Sequence, residues 1–190
     1  PIDYLHKIAK RCAEGHPRAV EIGPLDIVMS YCHGCIQNGL LFEYYDRFIK
    51  ECKLKKIMNG SILSMSMLRL GETRSFHPAP EKLKRQVQYV AEKIQKEEGE
   101  ELADVATRYA LRKWLWETKG SEQGEVNEKC SIVLGVSSVA ELEVAISGFE
   151  TVKSGVNYDR DDKIYKKVID TLGEHYNETW SSGIPHDISE

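Results

Sequence analysis

The sequence of 190 residues has no apolar run near the ~18 residues a membrane-spanning helix needs. It also lacks a strong charge of either sign. A net charge of -4 and a pI near 5.9 give no basic field, so nucleic acid and anionic membrane surfaces find no electrostatic partner here. Cysteine is sparse and odd in number, five in all, which excludes the even framework of a small disulfide-stapled secreted domain and suits reduced thiols in a cytoplasmic setting. The amino end shows neither an initiator Met nor the charged-then-apolar pattern of a signal peptide, and it starts directly on a helical stripe. We therefore expect a chain entered partway. No internal repeat stands out.

What is present is an ordinary globular composition, 41% hydrophobic and 29% charged, which is enough for one sizeable core. Ile2, Leu5, Ile8, Ala9 and Cys12 form one apolar face of a first helix that ends near Gly15. After Gly23-Pro24, the run Leu25 to Ser30 is short and nearly continuous in apolar character, which predicts a parallel strand covered on both faces. Leu41, Tyr44, Tyr45, Phe48 and Cys52 mark a second helix, and Lys56 to Asn59 a second strand. A long loop containing Gly71, Pro78 and Pro80 follows. Leu83, Val87, Val90 and Ile94, then Leu102 to Trp114, define two more helices, separated near Gly99. Lys119 to Lys129 is polar and predicts an exposed insertion.

The stretch from Ser131 to Leu142 is the most informative. Ile132, Val133 and Leu134 make a strand, Gly135 permits close backbone approach, and Ser138 with Glu141 has capping-box spacing at a helix start. Free amides at such a start suit an anion, though the same pattern also serves an ordinary strand-to-helix turn. Val139, Leu142, Ile146 and Phe149 give the apolar stripe of that helix, and Ile164, Val168 and Leu172 that of the last one. The class is α/β, with three parallel strands and helical cover. Three such strands close no barrel and leave edges unpaired, so the expectation is part of something larger.

Cys32-His33-Gly34-Cys35 has the spacing of a redox dithiol or of half a zinc site, but no second cysteine pair completes a zinc set, and buried, idle thiols are the plainer reading. Asn59-Gly60-Ser61 and Asn177-Glu178-Thr179 fit the glycosylation pattern by chance; the first falls at the end of a buried strand. His33 follows the first strand and reads as a satisfied structural group.

Several segments, taken in order, resemble an aldo/keto reductase of the sugar-oxidising type. They are Pro1 to Leu5, Pro24 to His33 with Gln37-Asn38, Asn59 to Leu68, Ile132 to Leu142, and Trp180 to Pro185. The resemblance covers essentially the whole chain. It implies that residues 1–190 are the C-terminal half of a single (β/α)8 TIM barrel, a fold of ~250 residues or more, whose amino-terminal half is absent. It also implies a nicotinamide dinucleotide across the barrel mouth, and an aldose such as D-arabinose oxidised to its lactone or the corresponding carbonyl reduced. The family's catalytic Tyr, Lys, His and Asp belong to the first strands, and no tyrosine or histidine here matches them. The resemblance therefore places no catalytic residue in this chain and implies that the chain alone is inactive.

Carried over residue by residue, Ser61, Leu63 and Ser64 correspond to the loop bordering the pyrophosphate. Gly135, Val136, Ser137 and Ser138 correspond to the segment holding the adenosine side. Glu141 stands where NADP-preferring members often carry Arg, which implies NAD or NADP with NAD preferred, because a carboxylate accepts ribose hydroxyls and repels a 2′-phosphate; the bland alternative is that Glu141 only completes the Ser138 cap. Gly60 stands where many reductases have an aromatic over the nicotinamide, and Met29 where many have a Gln for its carboxamide. Trp180 lies in a tail that in this family crosses near the substrate mouth, where it would form an apolar wall for the sugar or simply pack on the barrel, and His186 lies in the same tail. The implied partners are a small sugar, the missing half of the barrel and, as a possible arrangement, a second copy in a homodimer; no metal is implied. A non-catalytic reductase-like regulatory or interaction subunit is the alternative.

Overall fold

The computed structural model describes residues 1–17, 23–122 and 124–181. Among these the chain alternates helix and strand: α1 (Ile2–Ala13), β1 (Ile27–Tyr31), α2 (Leu40–Asp46), β2 (Lys56–Gly60), α3 (Glu81–Glu98), α4 (Leu102–Leu111), β3 (Cys130–Val133), α5 (Val139–Ser154) and α6 (Tyr158–Leu172). Both α2 and α4 run on into a π-helical turn, Arg47–Glu51 and Arg112–Trp116. The strands form one parallel sheet in the order β1-β2-β3. Parallel neighbours need long crossovers, which α2 and the α3–α4 pair supply.

Register explains the core. Val28, Ile57 and Cys130 pair in one row and point to the helices, where α1 contributes Ile2 and Ala9, α2 contributes Leu41 and Tyr45, and the π turns contribute Phe48, Trp114 and Leu115. A second cluster lies between α3, α4 and α6, from Leu83 and Val90 through Leu102 and Ala106 to Ile164 and Val168. Within that helical layer, the Arg108 guanidinium lies 2.9 Å from both Asp161 and Glu100, and the two carboxylates hold it charged despite burial. Gly99 ends α3 in the left-handed conformation, with φ at 68°, where a side chain would be strained.

The other side of the sheet differs from the expectation that β1 is covered on both faces. Ile27, Met29 and Tyr31 are 48%, 50% and 53% exposed, while Val28 and Ser30 between them are buried. The same open side carries Val133. The apolar stripe of α5 is open too: Val139, Leu142 and Ile146 are exposed, and only Phe149 of the four expected core positions is tucked in, against Trp116. The other face of α5 packs on α4, where a Cβ at Gly148 would come into van der Waals contact with Thr107 and Leu111, so the stripe of Val139, Leu142 and Ile146 points away from α4.

The Lys119 to Lys129 insertion is largely exposed, as expected, apart from Asn127. That residue plugs the loop onto the core by donating to the Tyr45 hydroxyl at 2.9 Å and to the Lys119 carbonyl at 3.2 Å. No described helix is long and apolar enough to cross a membrane.

Candidate functional site

Parallel strands bring their carboxyl ends together. Tyr31, Gly60 and Val133 are register partners, so the turns beginning at Cys32, Ser61 and Leu134 leave the sheet side by side. At this end a cavity of about 430 Å³ is lined by Met29, Tyr31, Cys32, His33, Met65 and Trp180, among others. Its walls are mostly apolar, with a few polar groups at the rim, the usual make-up of a small-molecule site.

The turn after β2 is tightly built. Ser61, Ser64, Met65 and Ser66 all have left-handed backbone, with φ between 51° and 67°, a conformation that costs L-residues free energy and persists only when the surroundings hold it. The hold is visible. The Ser64 amide donates to the Ser61 carbonyl at 2.8 Å, the Met65 amide to the Ser61 hydroxyl at 2.8 Å, and the Met67 amide to the Ser64 carbonyl at 3.1 Å. His77 closes it from below, its Nε2 lying 2.9 Å from the Ser64 carbonyl. Ser61 and Leu63 are partly exposed, whereas Ser64 is fully buried against the Cys32 and Cys35 thiols. A phosphate oxygen would thus meet the Ser61 hydroxyl, which also lies against the Cys32 thiol, with Ser64 shaping the turn from beneath.

The turn after β3 is open. Gly135, Val136, Ser137 and Ser138 are exposed. Ser138 caps α5 by accepting the Glu141 amide at 3.2 Å. The Glu141 carboxylate reaches back one residue further than a standard capping box, taking the Ser137 amide at 2.6 Å and the Ser137 hydroxyl at 2.9 Å. These hydrogen bonds hold its carboxyl below the usual range, so a negative charge sits on the anion-ready helix start. The two turns together fit a dinucleotide on one count each: a donor hydroxyl after β2, and acceptor oxygens suited to ribose hydroxyls after β3.

Met29 and Gly60 are neighbours on the open face. A Cβ on Gly60 would lie 3.3 Å from the Met29 sulfur, so the methionine side chain covers the space an aromatic at position 60 would enter. Trp180 lines the cavity and its ring centre lies 5.2 Å from that of His77. The segment before it is strapped to the loop after β1: Gln37 donates to the His175 and Glu178 carbonyls at 3.0 Å each, and the Gly39 amide donates to Asn177 at 2.8 Å. His186 and Ser182 to Pro185 lie outside the described residues.

His33 faces the cavity with Nδ1 3.3 Å from the Ser30 hydroxyl, and burial pushes its pKa down to about 4, so it stays neutral. Cys32 and Cys35 are buried; burial raises the first thiol and pushes the second up to about 12, the opposite of a reactive dithiol. Among the described residues no group of three His, Cys, Asp or Glu side chains could hold a metal. The sequence carries no sign of His77, and it marks Met65 and Gln37 only through the resemblance, because their roles depend on long-range contacts that no local spacing announces.

No family model matches the chain. A D-arabinose 1-dehydrogenase of Saccharomyces cerevisiae is 40% identical over 189 residues, which is 98% of this chain and 52% of the yeast enzyme. The chain is related to an aldo/keto reductase-type enzyme. It spans about half the length of that curated relative, and three parallel strands with helical cover are consistent with half of a barrel.

Proposed function

We propose that this chain is the cofactor-binding part of an NAD(P)-dependent aldo/keto reductase that oxidises an aldose of the D-arabinose type to its lactone. The carrying observation is that likeness to a sugar dehydrogenase runs through 98% of the chain. The end of β1 and Met65 of the turn after β2 line one cavity at the carboxyl ends of the strands, which is where such a fold would place a ligand. In this reading residues 1–190 belong to one (β/α)8 barrel domain. Its remaining strands would cover Ile27, Met29 and Tyr31, and would carry the proton-transferring groups.

The chain's own residues would bind and orient. The Ser61 hydroxyl and the turn shaped by Leu63 and Ser64 would meet the pyrophosphate; Gly135 to Ser138 would border the adenosine. The ionised Glu141 would accept ribose hydroxyls and repel a 2′-phosphate, which favours NAD over NADP. Trp180 would present an apolar wall to the sugar ring and exclude water from one side. The bound nicotinamide supplies the hydride acceptor. A cytoplasmic location fits the free, buried cysteines.

Assaying the full-length protein with D-arabinose, L-galactose or L-fucose and either NAD or NADP tests the reading; reduction of neither cofactor with any sugar would reject it. In the same assay Glu141→Arg should raise the NADP/NAD affinity ratio by about tenfold or more, the scale of one charge-assisted contact to phosphate. An unchanged ratio removes Glu141 from the cofactor site.

A further inference from the structure

We propose that His77, which lies in neither strand-end turn, is a positioning residue that fixes the Ser64–Ser66 turn and the Trp180 wall together, so that dinucleotide and sugar binding are coupled through one imidazole. This rests on the cofactor and substrate assignments proposed above. The protonation pattern follows from its neighbours. The Ala79 amide can only donate, and it lies 3.1 Å from Nδ1, so Nδ1 is the unprotonated nitrogen. Nε2 therefore carries the hydrogen and donates to the Ser64 carbonyl at 2.9 Å. The ring is 3% exposed and held at both nitrogens, so it has one orientation available.

Two consequences meet at this ring. On one side it anchors the first residue of three consecutive left-handed positions, Ser64, Met65 and Ser66, which L-residues leave unless held. On the other, Trp180 rests against it with ring planes inclined at 57°. The backbone leading to Trp180 is tied by Gln37 to the far side of the site, so the indole is set between strap and imidazole. Met65 and Trp180 both line the cavity. A change in the His77 ring therefore moves a wall on the cofactor side and a wall on the sugar side at once.

The test compares three variants of the full-length protein by calorimetric Kd for NAD, KM for the sugar, and tryptophan emission. His77→Ala should raise both constants by about tenfold, the scale of one buried hydrogen bond lost. His77→Gln keeps a donor for Ser64 but no ring, and should return the NAD Kd to within about threefold of the parent while the sugar KM stays high. Trp180→Phe should raise the sugar KM alone. If His77→Ala lowers Tm but leaves both constants within about threefold, the coupling is wrong and the residue is structural only. If the parent binds no dinucleotide, the functional reading fails instead. The His77 contact is then judged by emission: a red shift in His77→Ala that vanishes in the Trp180→Phe background supports it, and an unshifted spectrum overturns it.

Discussion

The two faces of the three-stranded sheet are built from the same kinds of residue and live in different surroundings. Val28, Ile57 and Cys130 face a helical layer and are buried, while one position along, Ile27, Met29 and Tyr31 stand half exposed on the other side. Apolar area left in water forfeits roughly 25 cal/mol per Å² of stabilisation, so a strand that is apolar on both faces but covered on one is stabilised on one side only. The adjoining α5 repeats the asymmetry, with Val139, Leu142 and Ile146 exposed beside a packed face at Gly148. Apolar strands and helices of this kind belong to α/β proteins covered on both sides. The difference between the faces, rather than any single side chain, is what the proposed half-barrel expects of a surface that its remaining strands would cover.

The largest expected effect lies on the helix-covered side. Phe48→Ala, at a fully buried ring between α1, α2 and the sheet, should cost about 3–5 kcal/mol in denaturant unfolding of the full-length protein. A loss below about 1 kcal/mol would mean the covered face is loosely packed. At the open end of β3, Ser138→Ala should cost about 1 kcal/mol, because the Glu141 amide loses its acceptor.

Another effect reads out with pH. Burial lowers the His33 pKa from 6.5 to about 4, so between those values the unfolded chain binds the proton more readily than the folded one. His33 thus contributes a stability term that is fully present above pH 6.5 and is lost as pH falls toward about 4. His33→Asn should flatten that part of the stability–pH curve; an unchanged slope would place the titration elsewhere. The smallest effect distinguishes the faces most sharply. Met29→Ser should shift stability by less than about 0.5 kcal/mol while its face is open, and by about 2 kcal/mol or more wherever the face is covered.

The element order was legible from local pattern: helical spacing at Leu83, Val87, Val90 and Ile94, the Ser138 cap, and the punctuation at Gly99 all reappear in the fold. Covering was less legible. A continuous apolar run such as Leu25 to Ser30 reports what a strand prefers on both sides, and it cannot say whether the neighbour on one side is present. At the site, Trp180 and the start of the Ser61 turn were singled out from the resemblance, but the left-handed run at Ser64 to Ser66 was not, because serine and methionine carry no preference for it. That conformation is held by bonds to the Ser61 carbonyl and hydroxyl and by His77, thirteen residues beyond Ser64. The asparagine plug at Asn127 is similar, since its partner Tyr45 lies 82 positions away.

The central claim, that the open face is a surface made to be covered, has a direct test in the behaviour of residues 1–190 expressed alone. Sedimentation equilibrium combined with a thermal melt followed by near-ultraviolet circular dichroism reads both association and cooperativity. The account predicts a self-associating or partly unfolded chain with a broad melt. A monomer that melts in one sharp, reversible transition would contradict it.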